Sequence, residues 1–392
     1  MLPRAFTVVA ALTATASLAC GQADLDGPVE QTGASPAAQG WTSVEVVGGL
    51  ERPWGLAFLP DGSMLVTEKA GRLRVVDSGG NLVSEPVVGL PEIYSRGQGG
   101  LMDVVLHPEF EATRWVYLTH SAGTRNSNYT VMIRGKLSDD MTRLEDVERL
   151  FEVAEKKPGG QHFGSRILWL DDGTMLLSIG DGGNPPTEVD GKLARLHAQD
   201  LDSHLGKTLR LDEHGRPAPA NPFMDDPDNY GGVFTYGHRN IQGMAIHPET
   251  RGVWATEHGA RGGDELNLIT RGTNYGWPLA TYSIEYWGPR ISNETSLDNA
   301  EDPVIVWTPC IAPSGLAFYT GDAIPEWQGD LFAGGLVLKQ IRRIKFDDNG
   351  QPGEQETLQF PSRIRDVRNG PDGHLYVLTD ETPGQVLRIE AR

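Results

Sequence analysis

The chain has 392 residues, 39% of them hydrophobic, enough for a large core in two ordinary domains or one repeat-built domain. Its 34 Lys+Arg against 53 Asp+Glu leave a formal charge of -19, which argues against nucleic acid and anionic membrane surfaces as partners. Cys20 and Cys310 do not make a disulfide framework.

Residues 1–20 read as a signal peptide. Arg4 gives a short positive region, and Phe6 to Leu18 is an apolar stretch too short to span a bilayer. Ser17-Leu18-Ala19-Cys20-Gly21 resembles a bacterial lipoprotein cleavage site with Cys20 as the lipidated residue, although Leu is more usual where Ser17 stands. Ordinary signal cleavage nearby is the alternative. Both readings export the protein, either to the periplasm or to a membrane tether through Cys20. Residues 21–40, rich in Gly, Ala, Pro, Gln and Asp, read as a flexible tether. Cys310 is then unpaired and reads as a small buried apolar residue.

From residue 41 onward the chain carries a degenerate repeat. Leu59-Pro60-Asp61-Gly62 leads into Ser63–Thr67, Leu170-Asp171-Asp172-Gly173 into Thr174–Ser178, and Gly370-Pro371-Asp372-Gly373 into His374–Thr379. Looser versions begin at His107-Pro108, His247-Pro248 and Ile324-Pro325. Each is a turn of Asp, Gly or Pro type followed by a short β-rich run. Several units also have an apolar strand before the turn, such as Trp54–Phe58 and Gly315–Tyr319. No long stretch keeps a 3.6-residue apolar period, and Glu188 to Leu205 holds a short helix at most. Six such units predict an all-β six-bladed β-propeller over residues 41–392, with two packed β-sandwiches as the alternative. In a propeller, loops collect around the axis on one face, and a site is sought there.

Four clusters carry candidate chemistry. Gly159-Gly160-Gln161-His162-Phe163-Gly164-Ser165-Arg166 places an imidazole and a guanidinium in a glycine-lined mouth leading into a strand. The turn Ile179–Asn184 supplies Asp181 at the other end of the same strand pair, and a carboxylate-tuned histidine suits general-base chemistry. A loop histidine satisfied by backbone is the plainer reading, and Arg166 equally suits a structural ion pair. Arg239-Asn240, flanked by glycines, suits a carboxylate or quinone oxygen. Glu257–Asn267, running on to Tyr275, offers carboxylates and inward carbonyls of the kind Ca²⁺ takes, without EF-hand spacing. A solvated acidic loop is the alternative. Arg363 and Arg365 alternate onto one face of an extended segment, where two cations share an anion or pair with Asp366 or Glu356. No zinc, phosphate-loop, nucleophile-elbow or nicotinamide motif is present.

In this order the clusters resemble the soluble pyrroloquinoline-quinone (PQQ)-dependent aldose sugar dehydrogenases over residues 41–392. The motifs that carry the resemblance are Gly97–Asp103, His162–Arg166, Ala198–Asp202, Arg239–Ala245, His258–Glu265, Asn274–Thr281 and Arg363–Arg368. It implies a six-bladed propeller that oxidises an aldose to a lactone, with hydride passing to Ca²⁺-bound PQQ and an external quinone or cytochrome as electron acceptor. His162 is then the general base, Asp181 its orienting carboxylate, and Arg239 a third catalytic-site residue that also holds PQQ. Gln98, Asn240, Tyr286, Arg363 and Arg365 complete the PQQ set. Carbonyls of Gly259 and Ala260 bind one Ca²⁺, while Glu265 and the Tyr275 carbonyl bind a second, structural one. Family members usually place a lysine where this chain has Val337. Lys339, two residues on, is expected to take its place on the same strand face. A cofactor-free carbohydrate- or protein-binding propeller and a calcium-dependent lactonase are the other readings.

Overall fold

The computed structural model describes residues 28–347 and 349–392. Six antiparallel blades form the expected all-β propeller. Their inner strands are Pro53–Phe58, Leu101–Leu106, Ile167–Trp169, Ile241–Ile246, Pro313–Phe318 and Ile364–Asn369. These follow one another around the axis, the sixth returning to the first. The sixth blade takes its outer strand, Trp41–Leu50, from near the start of the chain, where it pairs with Gly384–Ala391 and closes the ring.

Stacked blades bury their strands on both sides, so central strands read as apolar runs without a solvent face. Met175–Ile179 and Leu375–Thr379 are buried at every position. Each gap between neighbouring blades holds its own apolar cluster. The gap between the fifth and sixth contains Tyr319, Trp327 and Phe332, each worth roughly 1.5–3 kcal/mol when buried.

The two ends of the ring differ. Turns from first to second strand carry the repeated Asp/Gly/Pro sequence and gather at one end. There Asp61 Oδ1 accepts from Ser63 N at 3.0 Å, and Asp172 Oδ1 from Thr174 N at 3.0 Å. The other end collects the starts of the inner strands and the turns from second to third strand. Antiparallel pairing therefore brings His162, before one strand, and Asp181, after its partner, to the same edge.

Two expectations need correction. Residues 21–40 are expected to be a flexible tether, but their described part is docked. Val29–Thr32 adds a parallel strand beside Ile305–Thr308 on the fourth blade, and Ala38 N donates to Thr357 O at 2.9 Å. Open blade edges offer unpaired backbone groups, and pairing with them outweighs loop-like composition. Cys310 is half-buried, not fully buried, and its thiol is no inert apolar group, since it sits between Gly262 N and Ala260 O at 3.0 and 3.7 Å. The signal peptide of residues 1–20, with Cys20, lies outside the described residues. The helix allowed between Glu188 and Leu205 is a short 3₁₀ turn, Ala194–Gln199.

Candidate active site

His162 lies in the loop that enters the third blade and is 3% exposed, with a left-handed φ of 47°. A non-glycine residue there is strained unless its surroundings fix it, and several contacts do. Gln98 Oε1 accepts from His162 N at 2.7 Å, and Asn240 Oδ1 accepts from Gly164 N at 3.1 Å. Gly180 permits the close approach, since a Cβ there would stand 2.3 Å from His162 O. Beneath the loop, buried Lys157 donates to Asn128 Oδ1 at 3.2 Å and to Gln161 O, and lies 3.8 Å from the Phe163 ring centroid.

The imidazole is oriented from one side. His162 Nδ1 and Asp181 Oδ1 are 2.6 Å apart, and Asp181 also accepts from Gly183 N at 3.0 Å and Trp277 Nε1 at 2.9 Å. With Nδ1–H committed to the carboxylate, Nε2 is the nitrogen left to accept a proton. Burial, then the Arg239 charge, pushes His162 below the ordinary imidazole value, with Asp181 opposing. The ring is therefore neutral at pH 7, as a base requires.

Arg239 is 2% exposed and, among the described residues, forms no ion pair. Its Nη1 donates to His258 O at 3.0 Å and its Nη2 to Asn184 Oδ1 at 2.8 Å, while the buried Nε has no partner. A buried guanidinium without a counter-ion is costly unless an anion is bound. His258 stays neutral, driven down to about 3 by burial and Arg239.

Arg363 and Arg365 converge on Asp380, at 3.4 and 2.8 Å, and Arg52 joins them at 3.4 Å. Neither Asp366 nor Glu356 serves as their partner, because other arginines occupy both. Lys69, whose amine donates to Gly97 O, completes the set. Burial, then Arg52 and Arg365, lowers it to about 8. Cations outnumber the one carboxylate, and Arg365 Nε is buried without a partner. Burial works against ionisation of Asp380, yet Arg365, Arg52 and Arg363 hold it far below the usual carboxylate range.

Arg166 belongs to a different group. Its guanidinium meets Asp103 at 3.0 Å and Asp366 at 2.8 Å, and Arg368 meets the same two at 2.8 and 2.9 Å. This neutral square near the axis gives Arg166 its structural reading.

In the fourth blade, Glu257 and Glu265 face each other across adjacent strands, bridged by Asn267 Nδ2 at 2.9 and 3.2 Å. Burial, then Glu257, raises Glu265 well above the ordinary carboxylate value. Asn267 Oδ1 is buried with no donor. Tyr275 packs its ring 4.6 Å from that of His238, which contacts Glu257 at 3.3 Å. Gly259 is a backbone-only cradle, since a Cβ there would stand 2.3 Å from the carbonyl oxygens of Gly262 and Gly263. Ala260 follows it. Among the described residues no three His, Cys, Asp or Glu side chains form a metal cluster. Any ion held here would need carbonyl and amide oxygens to complete what one or two carboxylates supply.

Two candidate residues depart from expectation. Lys339 does not continue a strand face. Residues 336–339 form the turn between Leu331–Gly335 and Gln340–Phe346, Leu338 and Lys339 have φ of 67° and 52°, and the lysine donates to Pro361 O at 2.7 Å. Period-2 alternation fails at a left-handed turn. Tyr286 is 55% exposed on the long loop after Ile269, beside Glu285, which pairs with Arg195 at 2.7 Å. Sequence reasoning gave no role to Trp277, Asp380, Arg52 or Lys69. Aligning the six units would expose two of them, because Lys69, Gly180 and Asp380 each stand seven residues after the turn glycine.

The profile of the glucose/sorbosone dehydrogenase family matches residues 50–388. Aldose sugar dehydrogenase YliI of Escherichia coli is 40% identical over 364 residues, covering 91% of this chain and 95% of that protein. The solved apo-form soluble aldose sugar dehydrogenase from Escherichia coli superposes with a TM-score of 0.84 at 38% identity, covering 90% of this chain and 100% of that one. The PQQ-bound aldose sugar dehydrogenase of Streptomyces coelicolor gives a TM-score of 0.72 at 26% identity, covering 92% and 100%. With a profile spanning nearly the whole propeller, this chain is an oxidoreductase of the glucose/sorbosone dehydrogenase family.

Proposed function

We propose that this protein oxidises aldose sugars at the anomeric carbon to lactones, with PQQ as resident cofactor and Ca²⁺ beside it. The observation that carries the reading is the buried 2.6 Å His162–Asp181 pair, set beside a guanidinium that no carboxylate neutralises. Nε2 of His162 takes the proton of the anomeric hydroxyl. Asp181 holds the ring in the Nδ1–H tautomer and stabilises the imidazolium that forms, while Trp277 and Gly183 keep the carboxylate from turning away. When bound, the quinone supplies a two-electron acceptor for the hydride that leaves the same carbon.

The residues fit a polycarboxylate quinone. Arg239, Arg363 and Arg365 present more positive charge than the protein neutralises, and the partnerless Nε atoms of Arg239 and Arg365 are spare donors. They would hold PQQ with Gln98, Asn240 and Tyr286, whereas the Lys339 amine is committed to Pro361 O. The oxygens of the fourth-blade loop suit Ca²⁺, a hard ion that prefers oxygen. Gly259 and Ala260 carbonyls would hold one ion. Glu265 and the Tyr275 carbonyl would hold a second, which would relieve the buried Glu257–Glu265 repulsion. A quinone or cytochrome is the electron acceptor.

Reconstitution with PQQ and Ca²⁺, followed by dye reduction with glucose, tests the reading. The expected result is Ca²⁺-dependent turnover with cofactor absorbance retained through gel filtration. No turnover and no retained absorbance at saturating PQQ would overturn it. Export with lipidation at Cys20 belongs to the same proposal, and mass spectrometry of the mature N-terminus checks it.

A further inference from the structure

Beside the His162 loop lies a cavity of about 530 Å³ lined by Tyr94, Arg96, Gly97, Arg125, Gly159 and Gly160. That volume falls within the range of small-molecule sites. Its backbone is fixed by contacts among three loops. Gln98 N donates to Gly160 O at 2.6 Å and Gly159 N to Arg125 O at 2.8 Å. Gly159 O also accepts from Tyr94 Oη at 3.1 Å and Asn128 Nδ2 at 2.8 Å. A Cβ at Gly97 would stand 2.3 Å from Gly160 O, so only glycine lets these loops meet. The cavity wall runs on along the chain from Gly160 through Gln161 to His162, and Gln98, next to the lining Gly97, accepts from His162 N.

The chain carries -19, yet two exposed cations meet at this cavity. Exposed arginines such as Arg72, Arg143, Arg149 and Arg216 each pair with a carboxylate, while Arg261 and Arg290 stand alone elsewhere among the described residues. Among the described residues Arg96 and Arg125 make neither an ion pair nor a side-chain hydrogen bond, and both line the cavity. Two free guanidinium forks on a rigid wall match a carboxylate or a phosphate. Tyr94 and the bare glycine backbone add a surface on which a sugar ring can lie.

We propose that this cavity is an anion subsite: it takes the acidic group of an aldose that carries a carboxylate or phosphate away from its anomeric carbon, while that carbon faces His162. The proposal rests on the sugar-oxidation reading and names the substrate class within it. The two charge-assisted contacts favour an acidic aldose over glucose by about tenfold in kcat/KM, chiefly through KM.

The test compares glucose with glucuronate, glucose 6-phosphate and an aldobiouronic acid on the PQQ- and Ca²⁺-loaded protein and its Arg96→Gln/Arg125→Gln variant. Preference for at least one acid, falling to a ratio near one in the variant, is expected, and the preferred acid separates uronate from phosphate. Arg96→Glu/Arg125→Glu should turn the preference toward 6-amino-6-deoxyglucose. Equal or better use of glucose, with no change of ratio in either variant, overturns the subsite. Calorimetry with methyl β-glucuronide, which cannot be oxidised at its blocked anomeric carbon, provides the separate arm. Salt-sensitive binding that Arg96→Gln/Arg125→Gln abolishes, without turnover of any aldose, leaves the subsite standing and overturns the oxidation reading. Glucose turnover without methyl glucuronide binding does the reverse.

Discussion

Two groups of charge stand close together in this molecule, one buried and one partly open to solvent, and do different things. Near the axis, Arg166 and Arg368 alternate with Asp103 and Asp366 in a closed square of zero net charge. Nearer the mouth, Arg52, Arg363 and Arg365 crowd one Asp380, with Lys69 beside them. The sixth blade contributes to both, through Asp366 and Arg368 on one hand and Arg363 and Arg365 on the other. Charge balance separates scaffold from site. The square needs nothing further, whereas the open group has positive charge in excess, and the buried, partnerless Nε of Arg365 is a donor an anion would satisfy.

The comparison can be broken by substitution. Asp103→Leu leaves two buried guanidinium groups facing Asp366 alone and should cost about 3–5 kcal/mol, read as a lower urea midpoint. Arg365→Met should weaken PQQ binding by tenfold or more, measured by calorimetry, with the midpoint shifted by no more than about 1 kcal/mol. If Arg365→Met destabilised as much as Asp103→Leu, the open group would be scaffold too.

The pH profile sharpens the same contrast, because surplus positive charge reaches the base. His162 is held below the ordinary 6.5 by burial, Arg239 and, more weakly, Lys157. A base works unprotonated, so turnover should be retained down to pH 6.5 and lost as pH falls through the depressed value. The stability linked to His162 has the same sign. It is present above 6.5 and lost on acidification, because below that pH the unfolded chain binds the proton more readily. Lys157→Met should move the acid limb of kcat/KM upward by removing one opposing charge. The smallest effect is expected at the far end, where Asp172→Ala loses the turn bond to Thr174 N and should cost about 0.5–1.5 kcal/mol without touching kcat.

That far end is also where the fold was easiest to read. The Asp-Gly turns repeat because the same reversal recurs in blade after blade, and counting them predicted the propeller. The site is built from what does not repeat. His162 and Asp181 were legible because each is flanked by glycines close in sequence. Asp380 and Lys69 sit in plain turns, and their role appears only when the sixth and first blades are brought together. Lys339 leaves the face that alternation predicts because the strand ends at Gly335 and a left-handed turn follows. Arg166 could not be assigned from sequence, since its partners lie 63 and 200 residues away.

The strand Trp41–Leu50 gives the molecule a timetable. Among the described residues its one sheet partner is Gly384–Ala391, which is synthesised long after it. Until that partner arrives, the strand has no ladder to join, and the seam between the sixth and first blades stays open. Such distant pairing makes for slow folding. Arg52 and Lys69 stand on one side of that seam, and Arg363, Arg365 and Asp380 on the other. The cationic group is therefore assembled only when the sixth blade meets the first, so a chain cut short before residue 363 would lack one wall of its site.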